Sequence, residues 1–407
     1  MSSWPHVPAA CSDEAVTIDV LVRLTAAVEG RLPTRPALNL GLVIDRSGSM
    51  AAGRKLEHAK QAAIFAVEQL LPTDRVSVTA YDSDVNIIVP STTTAEKDSI
   101  LAQVRAIQPG SATALHAGWK AGATQVIEHA RPGMLNRVLL LSDGLANQGL
   151  SDPTAIADEA RQVAEGGVST TTLGVGDDYN EDLMESMARQ GHGNYYFIED
   201  PAQLADIFQT ELHDLMALVG HRVSLGIEPS TGVQVVEILN DFDRLNTGRW
   251  KLPNLVAGSP IRALVRLRIE PRPGRSTIAA FRLAWDVPKG DRRTIRVEAL
   301  ELPSVSKANW ERLDQERDVI EQAGLLMSAR ARREAALAME RGEHTLCQAR
   351  LETAWGITSA LPTSAGTVAD LSAIQRLADD LAQNKIARFL KRTKQQVYGH
   401  RHGKDLS

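Results

Sequence analysis

Three oxygen-bearing side chains at alternate positions, Asp45, Ser47 and Ser49, close a run of apolar residues that begins at Leu38. One carboxylate and two hydroxyls on a tight loop are hard oxygen donors, the chemistry that holds Mg²⁺, with Mn²⁺ and Ca²⁺ as alternatives. Two further segments offer the same kind of donor. Thr113 sits in Gly110-Ser111-Ala112-Thr113-Ala114-Leu115, just ahead of a helical pattern, and Asp143 closes the run Leu139-Leu140-Leu141-Ser142. With two formal negative charges among five side chains, a divalent ion held here keeps positive charge for a ligand from outside.

The elements that must position these oxygens alternate. Short apolar runs at 38–45, 75–81, 85–89, 136–142, 168–175 and 194–198 read as strands. Amphipathic patterns at 54–71, 95–107, 114–130, 154–166, 180–190 and 201–218 read as helices. The segment from Lys55 to Leu71, for example, carries Leu56, Ala59, Ala63, Val67 and Leu70 on one face and is stopped by Pro72. Such alternation predicts an α/β class, a doubly wound, mostly parallel sheet covered on both faces. In open sheets of this kind ligands bind just outside the carboxyl ends of the strands, where Asp45 and Asp143 fall.

From about 220 the texture changes to short Val/Ile/Leu-rich segments at 233–239, 261–270, 276–285 and 293–301, separated by Pro, Gly and Asn. This predicts an added antiparallel β-sandwich. The alternating stretch 16–25 has no place in the sheet that follows it. It is expected to pair with the later β-rich domain, leaving the α/β unit as an insertion between its parts. After 304, Ala-rich helical patterns at 307–341, 343–360 and 366–396 predict a C-terminal helical hairpin or bundle. The expected boundaries are therefore 1–35, 36–219, 220–303 and 304–396, with 397–407 a basic, disordered tail.

Composition narrows the function classes. The 407 residues have a net charge of −5 and 4% aromatics, which argues against nucleic acid as a partner. No stretch is long and apolar enough for a membrane span, and Met1 to Ala10 lacks a leader pattern. The two cysteines, Cys11 and Cys347, show no metal-like spacing and fit a cytoplasmic setting. The histidines share no spacing with carboxylates, no nucleophile–base pair can be placed, and no enzyme activity is expected. His116 is expected to point away from Thr113, and the basic residues of the tail read as a solvated helix face.

The three oxygen-bearing segments, in this order and on these elements, resemble the metal-ion-dependent adhesion site of the von Willebrand factor type A family. The resemblance covers roughly residues 38–218. It takes in Leu173-Gly174-Val175-Gly176-Asp177-Asp178 and Gly193-Asn194-Tyr195-Tyr196-Phe197, which look like the family's last two strands. It implies a Rossmann-like domain in which Ser47, Ser49 and Thr113 ligate the metal directly, while Asp45 and Asp143 do so directly or through water. It also implies a protein partner whose Asp or Glu completes the shell, with the loop around Thr113 coupled to a shift of the last helix, 201–218.

The order of segments along the whole chain resembles bacterial cytosolic relatives of the calcium-activated chloride channel regulators. The His-Glu-x-x-His protease motif that some of those relatives carry is absent from this sequence. The expected function is a non-enzymatic, metal-dependent interaction or scaffold protein. The alternative is a regulatory subunit of an ATPase-driven chelatase or chaperone-like complex; this chain has no Gly-x-x-x-x-Gly-Lys-Ser/Thr loop of its own.

Overall fold

The computed structural model describes residues 1–26, 36–131, 133–145, 148–287, 292–296 and 299–402. The chain divides into two compact units, one of Leu32–Ala217 and one of Met1–Arg31 with Leu218–Ser407.

The unit Leu32–Ala217 is built on a six-stranded sheet. Its strands run in the order Val85–Thr93, Arg75–Tyr81, Leu38–Asp45, Leu135–Ser142, Val168–Val175, His192–Ile198. All neighbours are parallel except the first pair. The central strand Leu38–Asp45 is buried along its whole length, as a strand covered on both faces must be. The edge strand Val85–Thr93 runs past the expected end at 89 and accommodates Pro90, which an edge tolerates because one side of its ladder is unpaired. The helix Leu115–Ile127 sits tightly on the sheet. A Cβ on Gly122 would stand 2.2 Å from Val43 Cγ2, and one on Gly41 would stand 2.7 Å from Val126 Cγ2. Only residues without a side chain allow this approach.

The last helix of this unit, Leu204–Met216, carries a buried carboxylate, Glu211. Its Oε2 accepts from Arg137 Nη1 at 3.1 Å and Thr171 Oγ1 at 3.0 Å, and its Oε1 accepts from Tyr196 Oη at 2.7 Å and from Asn194 Nδ2. A buried ion pair of this sort costs desolvation but fixes register, since sliding the helix would strand both charges.

The other unit contains two sheets. One has the order Ser2–Pro5, Val16–Leu24, Ile261–Ile269, Val233–Ile238, all antiparallel. Val16–Leu24 pairs with Ile261–Ile269 from Leu24 opposite Ile261 to Val16 opposite Ile269. The second has the order Trp250–Lys251, Leu218–Pro229, Arg275–Asp286, Leu300–Val305, Ala10–Cys11, with Leu255–Val256 and Arg292–Arg296 attached at its edges. Ile18, Val20 and Val22 from the first sheet share one core with Leu225, Phe281 and Leu283 from the second. The opposite face of the first sheet, through Leu21 and Leu264, packs on Val319, Ala323 and Leu326 of a long helix.

The helical region differs from the sequence expectation in three places. The helix expected at 307–341 is two, Lys307–Trp310 and Arg317–Glu340. Trp310 Nε1 donates to Ala9 O at 3.1 Å and Glu316 N to His6 O at 2.8 Å, so contacts to the N-terminal segment replace the intervening helical turn. The helix expected at 366–396 is also two, Ala365–Ala382 and Ile386–His402. The turn between them places Asn384 at φ 57°, a conformation that Asn adopts at modest cost. The helix Ile386–His402 continues past 396, where a disordered tail was expected, and buries Tyr398; residues 403–407 lie outside the described residues.

Four helices are joined by a polar cluster in which Ser328, Arg332, Thr358 and Asp370 are buried and Gln396 is half-buried. Arg332 Nη2 donates to Asp370 Oδ1 at 2.6 Å and Arg332 Nη1 to Gln396 Oε1 at 2.8 Å, while Ser328 and Thr358 donate to Asp370 Oδ2 at 2.8 and 2.7 Å.

Candidate metal centre

Each sequence-selected oxygen lies at the carboxyl end of a parallel strand or the amino end of a helix. Asp45 ends Leu38–Asp45, Asp143 directly follows Leu135–Ser142, and Thr113 precedes Leu115–Ile127. The loops carrying them are stitched together by backbone bonds. Gly110 N donates to Arg46 O at 2.6 Å, Gly48 N to Ser111 O at 2.8 Å, and Ala114 N to Asp82 O at 2.7 Å. Gly110 has no substitute here, because a Cβ would fall 1.7 Å from Asp82 Oδ2.

The side chains form one chain of contacts. Ser47 Oγ and Ser49 Oγ are 3.1 Å apart, and Ser49 Oγ donates to Asp143 Oδ1 at 2.7 Å. Thr113 comes to Asp143 through Gly144: a Cβ on Gly144 would stand 3.1 Å from Thr113 Oγ1. Asp45 is held from two sides, accepting from Ser47 N at 2.8 Å and from Ser142 Oγ at 2.6 Å. Asp45, Ser47, Thr113 and Asp143 are buried and Ser49 is exposed, so the site opens outward at its rim. Asp45 in particular is fully buried at the end of its strand.

Burial pushes the Asp45 carboxyl up to about 6, with the nearby Asp143 charge adding to the rise and the Ser142 and Ser47 bonds opposing it. A carboxylate held in this way gains from a cation. The five side chains are two carboxylates and three hydroxyls on converging loops, a donor set that fits a divalent cation. No group of three or more His, Cys, Asp or Glu able to hold a metal occurs among the described residues.

Two residues that the sequence pattern did not single out complete the site. Ser142 bonds Asp45, and its place directly before Asp143 at a strand end was the available signal. Lys55 Nζ lies 2.7 Å from Asp143 Oδ2. As the first residue of the helix Lys55–Gln69 it looks in sequence like an ordinary solvated cation. His116 pairs with Glu159 at 3.2 Å and takes no part in the oxygen cluster. Asp177 and Asp178 lie in the bend that follows Val168–Val175.

Residues 39–210 match the von Willebrand factor type A domain family. Uncharacterized protein YfbK of Escherichia coli (strain K12) is 31% identical over 226 residues, covering 55% of this chain and 39% of that protein. Human inter-alpha-trypsin inhibitor heavy chain H3 is 31% identical over 170 residues, 40% of this chain and 19% of its own length. The chain thus spans less than half the length of either relative. Among solved structures, a von Willebrand factor type A protein from Catenulispora acidiphila superposes with a TM-score of 0.71 at 18% identity. It covers 97% of this chain and 96% of that one, so the fold of the α/β, β-rich and helical parts recurs together. The ArnB paralog VWA2 from Sulfolobus acidocaldarius has the same fold at a TM-score of 0.61 and 18% identity, covering 98% and 97% of the two chains.

Proposed function

With residues 39–210 forming a von Willebrand factor type A domain, a kind of domain that commonly mediates protein–protein contacts, we propose that this chain is a non-enzymatic, metal-dependent protein-binding or scaffold protein. Asp45, Ser47, Ser49, Thr113 and Asp143 would hold a divalent cation, Mg²⁺ by the hardness of the donors, with Mn²⁺ or Ca²⁺ as substitutes. The bound cation supplies an electrophilic site for a carboxylate, and the partner chemistry is therefore an exposed Asp or Glu.

The observation that carries this reading is the chain of oxygens from buried Ser47 through the exposed Ser49 to buried Asp143, with Thr113 set against Gly144. The chain's own residues do the rest. Ser142 and the Ser47 amide orient Asp45, and the Gly110 and Gly48 backbone bonds hold the three loops in one frame. Lys55 takes one oxygen of Asp143 and so lowers the negative charge that the site presents. No helix among the described residues is long and apolar enough to cross a membrane.

The test is capture of partners from lysate by the immobilised chain, with Mg²⁺, with chelator, and with Asp45→Ala. Partners retained only with metal and intact Asp45 support the reading. Partners indifferent to both remove the metal site from recognition.

A further inference from the structure

The β-rich unit carries a second charged surface, remote in sequence from the oxygen cluster. Register between Leu218–Pro229, Arg275–Asp286 and Arg292–Arg296 places cross-strand partners in rows. Gly226 lies opposite Arg282, which lies opposite Arg296; Ser224 lies opposite Ala284, which lies opposite Thr294; Asp286 lies opposite Arg292. Directly opposed residues share a face, so these rows make one outward surface with a floor of Gly226, Ser224, Ala284 and Thr294.

Arg249 reaches onto this floor. Its Nε donates to Ser224 Oγ at 3.0 Å, and its Nη2 donates to Ser224 O at 2.8 Å and Arg282 O at 2.9 Å. Two carboxylates serve the surface. Asp286 takes Arg292 at 2.8 Å and Arg222, and Glu228 takes Arg282 at 2.6 Å and Arg296 at 3.2 Å. Five guanidiniums thus face two carboxylates. The side chains of Arg222, Arg282, Arg292 and Arg296 are 69%, 50%, 47% and 60% exposed. Burial, and then the charges of Arg292 and Arg282, hold Arg249 below its usual range. The surface is short of negative charge.

The same strand supplies a second recognition element. Among the described residues Arg292–Arg296 pairs on one side only, with Arg275–Asp286, so its other edge presents backbone donors and acceptors. An open edge takes an extended peptide, whereas a single-stranded nucleic acid is held by stacking on aromatic rings. Trp250, opposite Leu225, belongs to the core side and gives this face none.

We propose that the edge and outer face of Arg292–Arg296, with Arg249 and Arg282, dock an extended acidic protein segment that adds as a further strand. Arg292 and Arg296 share a face about 13 Å apart at about 3.3 Å per residue. The ligand's acidic residues therefore stand at alternate positions. Apolar residues between them meet the other face, where Ile295 is 44% exposed. This docking needs no metal and stands independently of the oxygen site.

The experiment titrates the full chain, in chelator and at low salt, into a fluorescently labelled peptide of alternating Glu and Val, read by anisotropy. Saturable binding is expected. It should weaken about tenfold or more in Arg292→Glu/Arg296→Glu, survive Arg292→Lys/Arg296→Lys in part, and be unchanged in Asp45→Ala. A peptide of the same composition with Glu and Val in separate blocks should bind more weakly. Thermal melting checks folding, and the single change Arg296→Gln provides a milder variant if the double one melts early. The proposal is overturned by absence of binding, by equal binding of the block peptide, by insensitivity to the arginine changes, or by tighter binding of oligothymidylate. In the first case the arginines serve only to keep the edge from pairing with other chains.

Discussion

The Lys55 ammonium lies 2.7 Å from Oδ2 of the fully buried Asp143, whose Oδ1 accepts from Ser49. The backbone aims the lysine there: Gly53 at φ 60° and Arg54 at φ 58° turn the chain just before the helix begins, and Nζ comes within 3.4 Å of where a Cβ on Gly176 would stand. The two carboxylates of the site are therefore unequal. Asp143 has a cation, whereas Asp45 accepts from the neutral donors of Ser47 and Ser142.

Lys55→Met removes that cation. In chelator the variant is expected to lose about 1–3 kcal/mol of stability, because a buried carboxylate is left without its partner. Its affinity for Mg²⁺ or Mn²⁺, measured by calorimetry, is expected to rise, since the site becomes more negative. Unchanged metal affinity would detach Lys55 from the site.

The raised Asp45 pKa of about 6 makes a pH prediction for the metal-free protein. The folded state holds this proton more tightly than an unfolded chain, whose Asp titrates near 3.9. This group's contribution to stability is therefore greatest below about pH 4 and falls as pH rises to about 6, by an amount on the order of 3 kcal/mol. Denaturant titrations at pH 5 and pH 7 in chelator, on wild type and Asp45→Asn, check it. Asn carries no charge to desolvate, so the difference between pH values is expected to shrink in the variant, and so is metal binding. An unaltered difference would remove Asp45 as its source.

Thr113→Ala takes away one neutral oxygen and leaves both carboxylates. It is expected to weaken partner capture more than metal binding, as seen by comparing pulldown with calorimetry. The reverse order would argue against Thr113 as the ligand-facing group.

Glu211→Ala strands Arg137 inside the α/β unit and is expected to cost about 3–5 kcal/mol. Glu211→Gln, which keeps hydrogen-bonding capacity, should cost less. Hydrogen exchange over Leu204–Met216 reads out the loosening directly.

In the helical region, Asp370→Ala leaves the Arg332 guanidinium buried and is expected to cost about 3–5 kcal/mol, whereas Arg332→Met/Asp370→Leu should recover most of the loss. Denaturant unfolding followed by a probe on these helices, rather than by a whole-chain signal, isolates the effect.

Much of the α/β unit was legible because its buried strands and one-sided helices repeat with distinct periods. The oxygen donors could be picked out because each follows an apolar strand or opens a helix. What stayed hidden depends on distant contacts. Lys55 looks solvated until Gly53 and Arg54 turn it inward. The break after Trp310 follows from bonds to Ala9 and His6, some three hundred positions earlier in the chain. The turn at Asn384 had a local signal in the Asn itself, which the surrounding helical periodicity masked. The arginine surface is invisible in sequence because Arg249, Arg282 and Arg292 come together only through strand register.

The pairing of Val16–Leu24 with Ile261–Ile269 also sets an order of events during synthesis. The first of these strands leaves the ribosome long before its neighbour exists, whereas the six strands of the α/β sheet pair with one another within Leu32–Ala217. The inserted unit can fold while the host is still incomplete, and the host's first sheet closes only when residues 261–269 arrive. Until then Val16–Leu24, with Val16, Ile18, Val20 and Val22 on one side, is an apolar edge awaiting cover. Elongation stalls between residues 217 and 261 should therefore be the interval of greatest aggregation risk, and a circular permutant that joins Val16–Leu24 to the later strands should shorten it.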